Sequence, residues 1–286
     1  MKTFLLGVGC QKGGTTWLYD YLRGHPAVRT GHGKEYHVLD CLFLPQMSGL
    51  LSATRSKINE LDRRPKLDPA AQRTRKYLQD RLDFVANPDA YFDHFVRILQ
   101  GSPDGSVTCD ITPSYAALPE EAYRLVRDQL RLRGFGVKIV FLMRDPVSRI
   151  YSHLRMLRSR SAERRKSVTE VEDVLKHYDS WDFEVRTRYQ DTILKLERVF
   201  PAEDILYLFY EELFTDVSIG ALCSHLGLAQ TPAELSKIVN ASPAGAGVPD
   251  AAHRRIRDHY QETYDFVAER FSAERVGRLW AASPGR

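Results

Sequence analysis

Gly7 to Leu18 reads GVGCQKGGTTWL, and these residue types suit the grip of an anion. Gly9 and Gly14 have the glycine spacing of a Walker A loop, G-x-x-x-x-G-K-[ST]. The residue after Gly14 is Thr15, however, and the only lysine, Lys12, stands inside the loop. Gly13 and Gly14 let a backbone approach a ligand, Lys12 adds a cation, and Thr15 and Thr16 add hydroxyls where a helix would start. An apolar stretch from Thr3 to Val8 precedes the loop and a helical pattern from Thr16 to Arg23 follows it. The loop therefore joins a strand to a helix, where backbone N–H groups and the helix N-terminus converge on one anion. The glycine spacing alone fits a plain connecting turn; the lysine and threonines favour the anion. A nucleotide kinase needs a lysine that spans two phosphates and a Ser/Thr that holds magnesium. The position of Lys12 argues against that arrangement.

Two further stretches carry candidate chemistry. In FLMRDPVSRIYSH, Phe141 to His153, Arg144 ends an apolar run and Ser152 follows eight residues later on a predicted helix. Taken singly, Arg144 fits a salt bridge at a sheet end and Ser152 a hydroxyl bonded to its own helix. Arg149 is open between structural pairing and ligand contact. In GKEYHVLD, Glu35, His37 and Asp40 could each move a proton. A partly desolvated carboxylate near bound anions is expected to have its pKa raised, which improves it as a base. The plain alternative is that Glu35 pairs with Lys34 or Lys12. His25, before Pro26, is expected to end the first helix with its ring on the last carbonyls. The basic run Arg155 to Ser167 is either a solvated helix face or a landing site for an acidic or carbohydrate acceptor.

Together these segments resemble the sulfotransferases that use 3'-phosphoadenosine 5'-phosphosulfate (PAPS). QKGGTTWL resembles their 5'-phosphosulfate loop, and Phe141 to His153 resembles their segment for the nucleotide 3'-phosphate. The resemblance implies that Lys12, Gly13, Gly14, Thr15, Thr16 and Trp17 hold the phosphosulfate, with Lys12 reaching the bridging oxygen. It implies Arg144 and Ser152 for the 3'-phosphate, and adenosine 3',5'-bisphosphate (PAP) as product. GKEYHVLD resembles a heparan-type segment, implying that Glu35 removes the acceptor proton and that His37 lines the site. In the cytosolic small-molecule enzymes that share GTTW, the base is a histidine, so His37 is the alternative. CDITPSY resembles a segment usually written E-K-[ST]-P-x-Y, with Asp110 at the acid and Ile111 in place of the lysine. The role of that lysine cannot be carried over. Arg188 to Leu213 resembles the long helix and following strand of carbohydrate sulfotransferases, with Glu211 and Glu212 as a structural pair. The similarity covers about residues 3–45 and 105–230. The implied acceptor is a hydroxyl or amine on a carbohydrate or small molecule, with no metal required. A P-loop nucleotide or small-molecule kinase and a nucleotide-binding protein without turnover remain as alternatives.

The elements that would position these residues alternate. GVKIVFLMR and DILYLFYEEL are further apolar runs, separated by helical patterns over Pro119 to Arg133, Pro146 to Arg160 and Trp181 to Phe200. This predicts an α/β fold: a P-loop-like, doubly wound parallel sheet flanked by helices. A polar helical insert over about residues 49–100 is expected to wall the substrate cleft, with Asn87-Pro88 starting one of its helices. A helical tail spans about residues 250–286, its Ile256, Tyr260, Val267 and Phe271 on one face, after the loop NASPAGAGVP. The 286 residues, 43% hydrophobic, can bury one substantial core, so a single domain over 1–286 is expected. The net charge of +4 demands no nucleic-acid partner. Cys10, Cys41, Cys109 and Cys223 form no C-x-x-C pair, which suits reduced thiols in the cytoplasm. The short apolar N-terminus runs straight into the glycine loop without a cleavage site, and no apolar run approaches the roughly 18 residues of a membrane span.

Overall fold

A computed structural model describes residues 1–161, 168–235 and 248–281. Along the chain, β1 (Lys2–Gly9) is followed by α1 (Thr15–Gly24) and α2 (Leu39–Phe43). The insert supplies α3 (Gly49–Asp62), α4 (Pro69–Ala86) and α5 (Pro88–Ile98). Then come β2 (Val107–Ile111), α6 (Glu120–Leu132), β3 (Phe135–Met143) and α7 (Pro146–Arg160). The helices α8 (Glu170–His177), α9 (Trp181–Glu184) and α10 (Tyr189–Val199) precede β4 (Ile205–Phe209). Last are α11 (Asp216–Leu226), α12 (Asp250–His259), α13 (Gln261–Phe271) and α14 (Ala273–Trp280).

The four strands pair in parallel in the order β2–β1–β3–β4. Successive side chains of a strand point to opposite faces, and here both faces are covered. Phe4, Leu6 and Val8 of β1 join Ile139, Phe141 and Met143 of β3 in one apolar layer. Leu5 joins Val140, Leu142 and Leu208 in the other, together with Trp17, Leu18 and Leu22 of α1. Burial on both faces is why these strands read as nearly continuous apolar runs. The parallel, helix-flanked α/β sheet agrees with the sequence expectation, and the insert is helical as expected.

Two expected helices are each broken. The pattern over Trp181 to Phe200 folds as α9 and α10. In the break, Arg186 Nη1 donates to the Asp182 carbonyl (2.6 Å) and Thr187 Oγ1 to the Phe183 carbonyl (2.6 Å). Side chains thus take acceptors that a continuing helix would use. The tail pattern from Asp250 to Phe271 turns at Tyr260, whose buried hydroxyl donates to the Tyr178 carbonyl (2.5 Å). Most of the loop NASPAGAGVP lies outside the described residues.

The edge strand β2 carries Asp110 one residue before its end, a buried carboxylate that ties insert to sheet. It accepts from Tyr91 Oη (2.8 Å), Tyr115 Oη (2.9 Å) and Thr112 Oγ1 (2.5 Å). Burial pushes its carboxyl up to about 6 despite these bonds. Ile111 is fully buried in the layer beneath α1, so close to β1 that a Cβ on Gly7 would come within 2.8 Å of Ile111 Cγ2. The position at which the resembling family carries lysine is therefore core. All four cysteines are free, and Cys10, Cys109 and Cys223 are buried. No described helix is long and apolar enough to cross a membrane.

Ile111→Lys should lower stability by more than about 2 kcal/mol, because an ammonium would lose its hydration without gaining a partner. Urea unfolding checks this; an unchanged midpoint would show that the position opens towards the cleft.

Candidate active site

The strand order reverses between β1 and β3, and ligands in such sheets gather outside the carboxyl ends of the strands at that point. There the loop after β1 meets the residues after β3. Cys10 N–H donates to the Leu142 carbonyl (2.6 Å) and Gly13 N–H to the Cys10 carbonyl (3.0 Å), which closes a tight turn. Lys12 (φ 70°) and Gly14 (φ 91°) adopt left-handed backbone conformations. A Cβ on Gly14 would come 2.5 Å from Leu213 Cδ2, and one on Gly13 2.8 Å from Cys10 Sγ. Both positions leave little room for a side chain, and the positive φ of Gly14 favours glycine there as well. Gly14 caps α1 without a side-chain bond, and the first turn holds no acidic residue, so nothing there opposes an anion.

Thr15 is buried, with its Oγ1 accepting from Lys34 Nζ (3.0 Å), and Thr16 is half-buried beside it. Trp17 lies in the core under α1: it stacks on Tyr21 at 6.0 Å, meets Phe214 edge-on at 5.2 Å and donates from Nε1 to the Glu234 carbonyl (3.3 Å). These contacts give Trp17 a packing role.

Arg144 follows β3 directly and donates from Nη1 to the Lys12 carbonyl (3.1 Å). Its guanidinium lies 4.2 Å from the centre of the Tyr210 ring. Arg144 Nε is buried and has no partner among the described residues. The Lys12 ammonium makes no hydrogen bond or ion pair among the described residues, and its pKa is lowered by burial first, then by Arg144, Arg160 and Lys34. A group of cations thus crowds one loop. Ser152 is buried on α7. That helix starts from Asp145, which accepts from Ser148 N–H (2.7 Å) and Tyr264 Oη (2.6 Å) and donates its own N–H to Glu211 Oε1 (3.0 Å). Glu211 also accepts from Trp280 Nε1 (3.3 Å), and Arg275 pairs with Glu212 at 2.5 Å. These bonds fasten the start of α7 and α14 to the end of β4.

Arg149 is fully buried, bonds only the Phe183 carbonyl (3.3 Å) and has no ion pair among the described residues. Neither structural pairing with a carboxylate nor an open ligand face is seen there. In the basic run, Arg155 pairs with Glu170 (2.8 Å) and Arg158 with Asp173 (3.0 Å), and residues 162–167 lie outside the described residues. The ring of His25 meets the Ala229 carbonyl (2.9 Å) after α11 rather than the last carbonyls of α1.

The segment from Lys34 to Asp40 forms a chain of ionic contacts. Lys34 Nζ lies 2.7 Å from Glu35 Oε1, Glu35 Oε2 lies 3.2 Å from His37 Nε2, and His37 Nδ1 lies 2.7 Å from Asp40 Oδ2. Asp40 is fully buried and also accepts from Ser114 Oγ (2.6 Å) and Cys41 N–H (2.9 Å). The expected rise in the Glu35 pKa is not found. Burial pulls it up, but His37 and Lys34 outweigh burial and hold the carboxyl at about 2. Burial pulls His37 down, but bonds to Asp40 and Glu35 raise it to about 9. At neutral pH a carboxylate on Glu35 therefore faces an imidazolium on His37. Lys34 is a site residue that sequence reasoning treated only as a partner for Glu35; its signal was adjacency to that residue. Ser114, Tyr77 and Arg81 approach this segment from distant stretches and carried no local signal.

A histidine whose pKa rises on folding stabilises the fold fully below its unfolded value near 6.5, and that contribution is lost as pH rises through about 9. Calorimetry should show the melting temperature falling over this range, with a shallower fall in His37→Gln; equal slopes would reject the assignment.

A family model described as the sulfotransferase family matches residues 5–232. A sulfotransferase structure from Alicyclobacillus acidocaldarius is similar with a TM-score of 0.56 at 16% identity, covering 94% of this chain and 95% of that one. The sulfotransferase domain of the Synechococcus PCC 7002 olefin synthase is similar with a TM-score of 0.47 at 16% identity, covering 91% and 94%. No curated protein matches the sequence.

Proposed function

Since this chain belongs to the sulfotransferase family, we propose that it moves a sulfuryl group from PAPS to a hydroxyl or amine of a carbohydrate or small molecule, releasing PAP. The observation that carries the donor assignment is the cation group at the meeting of the β1 and β3 loops, where Lys12 has no anion among the described residues and its pKa is depressed. Its loop has a turn that a Cβ would fill, and Arg144 beside it has a buried nitrogen without a partner among the described residues. These features fit an anionic ligand. Lys12, Gly13, Gly14, Thr15 and Thr16 would hold the phosphosulfate, and Arg144 and Ser152 the 3'-phosphate.

PAPS supplies the activated sulfuryl group. As the acceptor bonds to sulfur and the bond from sulfur to the phosphate oxygen breaks, negative charge grows on that oxygen. Lys12 and the start of α1 supply preorganised positive charge for it. The acceptor proton goes to Glu35, a carboxylate at neutral pH. His37 serves this reading as a positioning imidazolium, because Nδ1 is engaged by Asp40 and Nε2 by Glu35. A carboxyl at about 2 is a weak base, but part of that depression comes from Lys34, which also touches Thr15 of the anion loop. Drawing Lys34 towards an anion on the loop would raise the Glu35 pKa and strengthen the base. The carbohydrate or small-molecule acceptor rests on the likeness of Lys34–Asp40 and Arg188–Leu213 to carbohydrate enzymes. The single domain over 1–286 and the cytoplasmic setting belong to the same proposal, the latter supported by four free cysteines.

PAP, ATP with magnesium, and AMP should be compared by thermal shift. PAP at about 100 times its Kd should stabilise the fold by about 2.7 kcal/mol. A shift confined to ATP with magnesium would return the kinase reading to first place.

Sulfate transfer from labelled PAPS to a panel of alcohols, phenols and amino sugars should survive chelators. Lys12→Ala should greatly lower turnover while PAP affinity holds, and Glu35→Gln should slow the chemical step by about 100-fold to 10,000-fold. Lys34→Met should shift the acid limb of the rate profile to higher pH, since the Glu35 pKa rises when that charge is removed. Wild-type turnover in Glu35→Gln would exclude it as the base.

A further inference from the structure

Helix α4 of the insert places one charged side chain against the backbone of the Lys34–Asp40 segment. Arg81 is 6% exposed and has no ion pair among the described residues. Every donor it uses meets a neutral oxygen. Nε donates to the Tyr36 carbonyl (2.9 Å), Nη2 to the Glu35 carbonyl (3.3 Å) and Tyr77 Oη (2.7 Å), and Nη1 to Thr54 Oγ1 (3.3 Å). Tyr77 Oη also donates to the Glu35 carbonyl, and its ring lies 5.0 Å from the guanidinium. Burying a guanidinium without an anion is costly, and an apolar side chain could fill this space at less cost. Packing of the insert alone does not account for it.

The bonds show what Arg81 holds. Its two carbonyl acceptors belong to residues 35 and 36, the peptides between the Glu35 and His37 side chains. The same stretch is held from the sheet edge, where Ile111 N–H donates to the Lys34 carbonyl (3.0 Å) and Asp110 Oδ1 accepts from Tyr36 N–H (3.4 Å). His37 has a φ of 56°, in the left-handed region that residues other than glycine enter only when their surroundings hold them there. The chain from Glu35 through His37 to Asp40 depends on that turn.

We propose that Arg81 is a positioning residue for the reaction, its forked donors on the Glu35 and Tyr36 carbonyls setting the backbone turn through which Glu35 and His37 meet. The inference rests on the reading of Glu35 as base. It gives the insert a task in the site, because Arg81 of α4 holds the carbonyls of the segment that carries Glu35. A second insert pair supplies the control: Arg75 Nε lies 2.5 Å from Asp62 Oδ1, joining α4 to α3 without touching the segment.

The test follows the His37 imidazole by NMR titration, assigned with His37→Gln, in the wild type, Arg81→Met, Arg81→Lys, Arg81→Ala and Arg75→Ala. Melting temperature and calorimetric PAP affinity are measured alongside. In Arg81→Met the His37 midpoint should fall from about 9 by about one pH unit or more, towards its ordinary value, as the contacts to Glu35 and Asp40 loosen. Arg81→Lys keeps the charge but lacks the fork, so an intermediate midpoint is expected. PAP affinity should stay within about twofold in both, because neither touches the anion loop. Adding methylguanidinium to Arg81→Ala should move the midpoint back, whereas Arg75→Ala should leave it in place. A wild-type His37 midpoint in folded Arg81→Met overturns the proposal, as does an equal displacement in Arg75→Ala. Should Arg81→Met fail to fold, Arg81→Lys decides, and a wild-type midpoint there overturns it. Wild-type turnover in Glu35→Gln would sink the reading of Glu35 as base instead, since the His37 titration reports on Arg81 without any substrate.

Discussion

The site depends on the parallel pairing of β1 with β3. Lys2 to Gly7 align with Phe135 to Val140, and the ladder is displaced at its carboxyl end, where Gly9 faces Phe141. Cys10 N–H then continues the contact onto the Leu142 carbonyl (2.6 Å), so the glycine loop starts beside the end of β3. A parallel pair cannot be joined by a hairpin, so the two loops come from stretches more than a hundred residues apart, and only the sheet brings them together. The Lys12 carbonyl then meets Arg144 Nη1 at 3.1 Å. The glycine loop and the start of the segment after β3 thereby meet at one end of the sheet.

The same geometry concentrates positive charge. Burial first, and then Arg144, Arg160 and Lys34, depress the Lys12 pKa, an arrangement that is unfavourable without an anion. The Lys34–Asp40 segment answers part of this charge with Glu35. Glu35 is consequently more acidic than a partly desolvated carboxylate near bound anions would be. The expectation of a raised pKa failed because it counted only burial and the charge of the ligand. It left out His37, which Asp40 and Glu35 together keep protonated. The glycine loop and Glu35 are thus coupled through Lys34, which touches Thr15 on one side and Glu35 on the other.

Much of the fold, and the placing of the glycine loop at the end of β1, could be read from sequence, for identifiable reasons. The buried strands announce themselves because both faces are apolar, and the anion loop because its glycines, lysine and threonines are contiguous. The breaks after α9 and at Tyr260 were not legible: apolar spacing continues across them, while the bonds that end the helices come from Arg186, Thr187 and a buried tyrosine hydroxyl. The resemblance of QKGGTTWL places Trp17 with the loop, but a helix turns neighbouring side chains about 100° apart, and this one enters the core. Ile111 was legible only as a departure from a pattern. Its meaning required the contact with Gly7.

Buried cations in this protein are satisfied in different ways, and the difference separates scaffold from site. Arg81 places donors on four neutral oxygens, so its charge is dispersed over fixed dipoles and needs no ligand. Arg149 is enclosed at 0% exposure against Phe183, and its unbonded Nε and Nη1 are shut away from solvent. Neither could meet an anion without displacing the surrounding helices. Lys12 is half-buried, stands on a left-handed turn, and has no acceptor among the described residues. Its desolvation is incomplete and its surroundings are cationic, so an arriving anion would gain electrostatically at little cost in reorganisation. Exposure combined with unrelieved charge, more than charge itself, distinguishes the lysine in the glycine loop from the arginines beneath it.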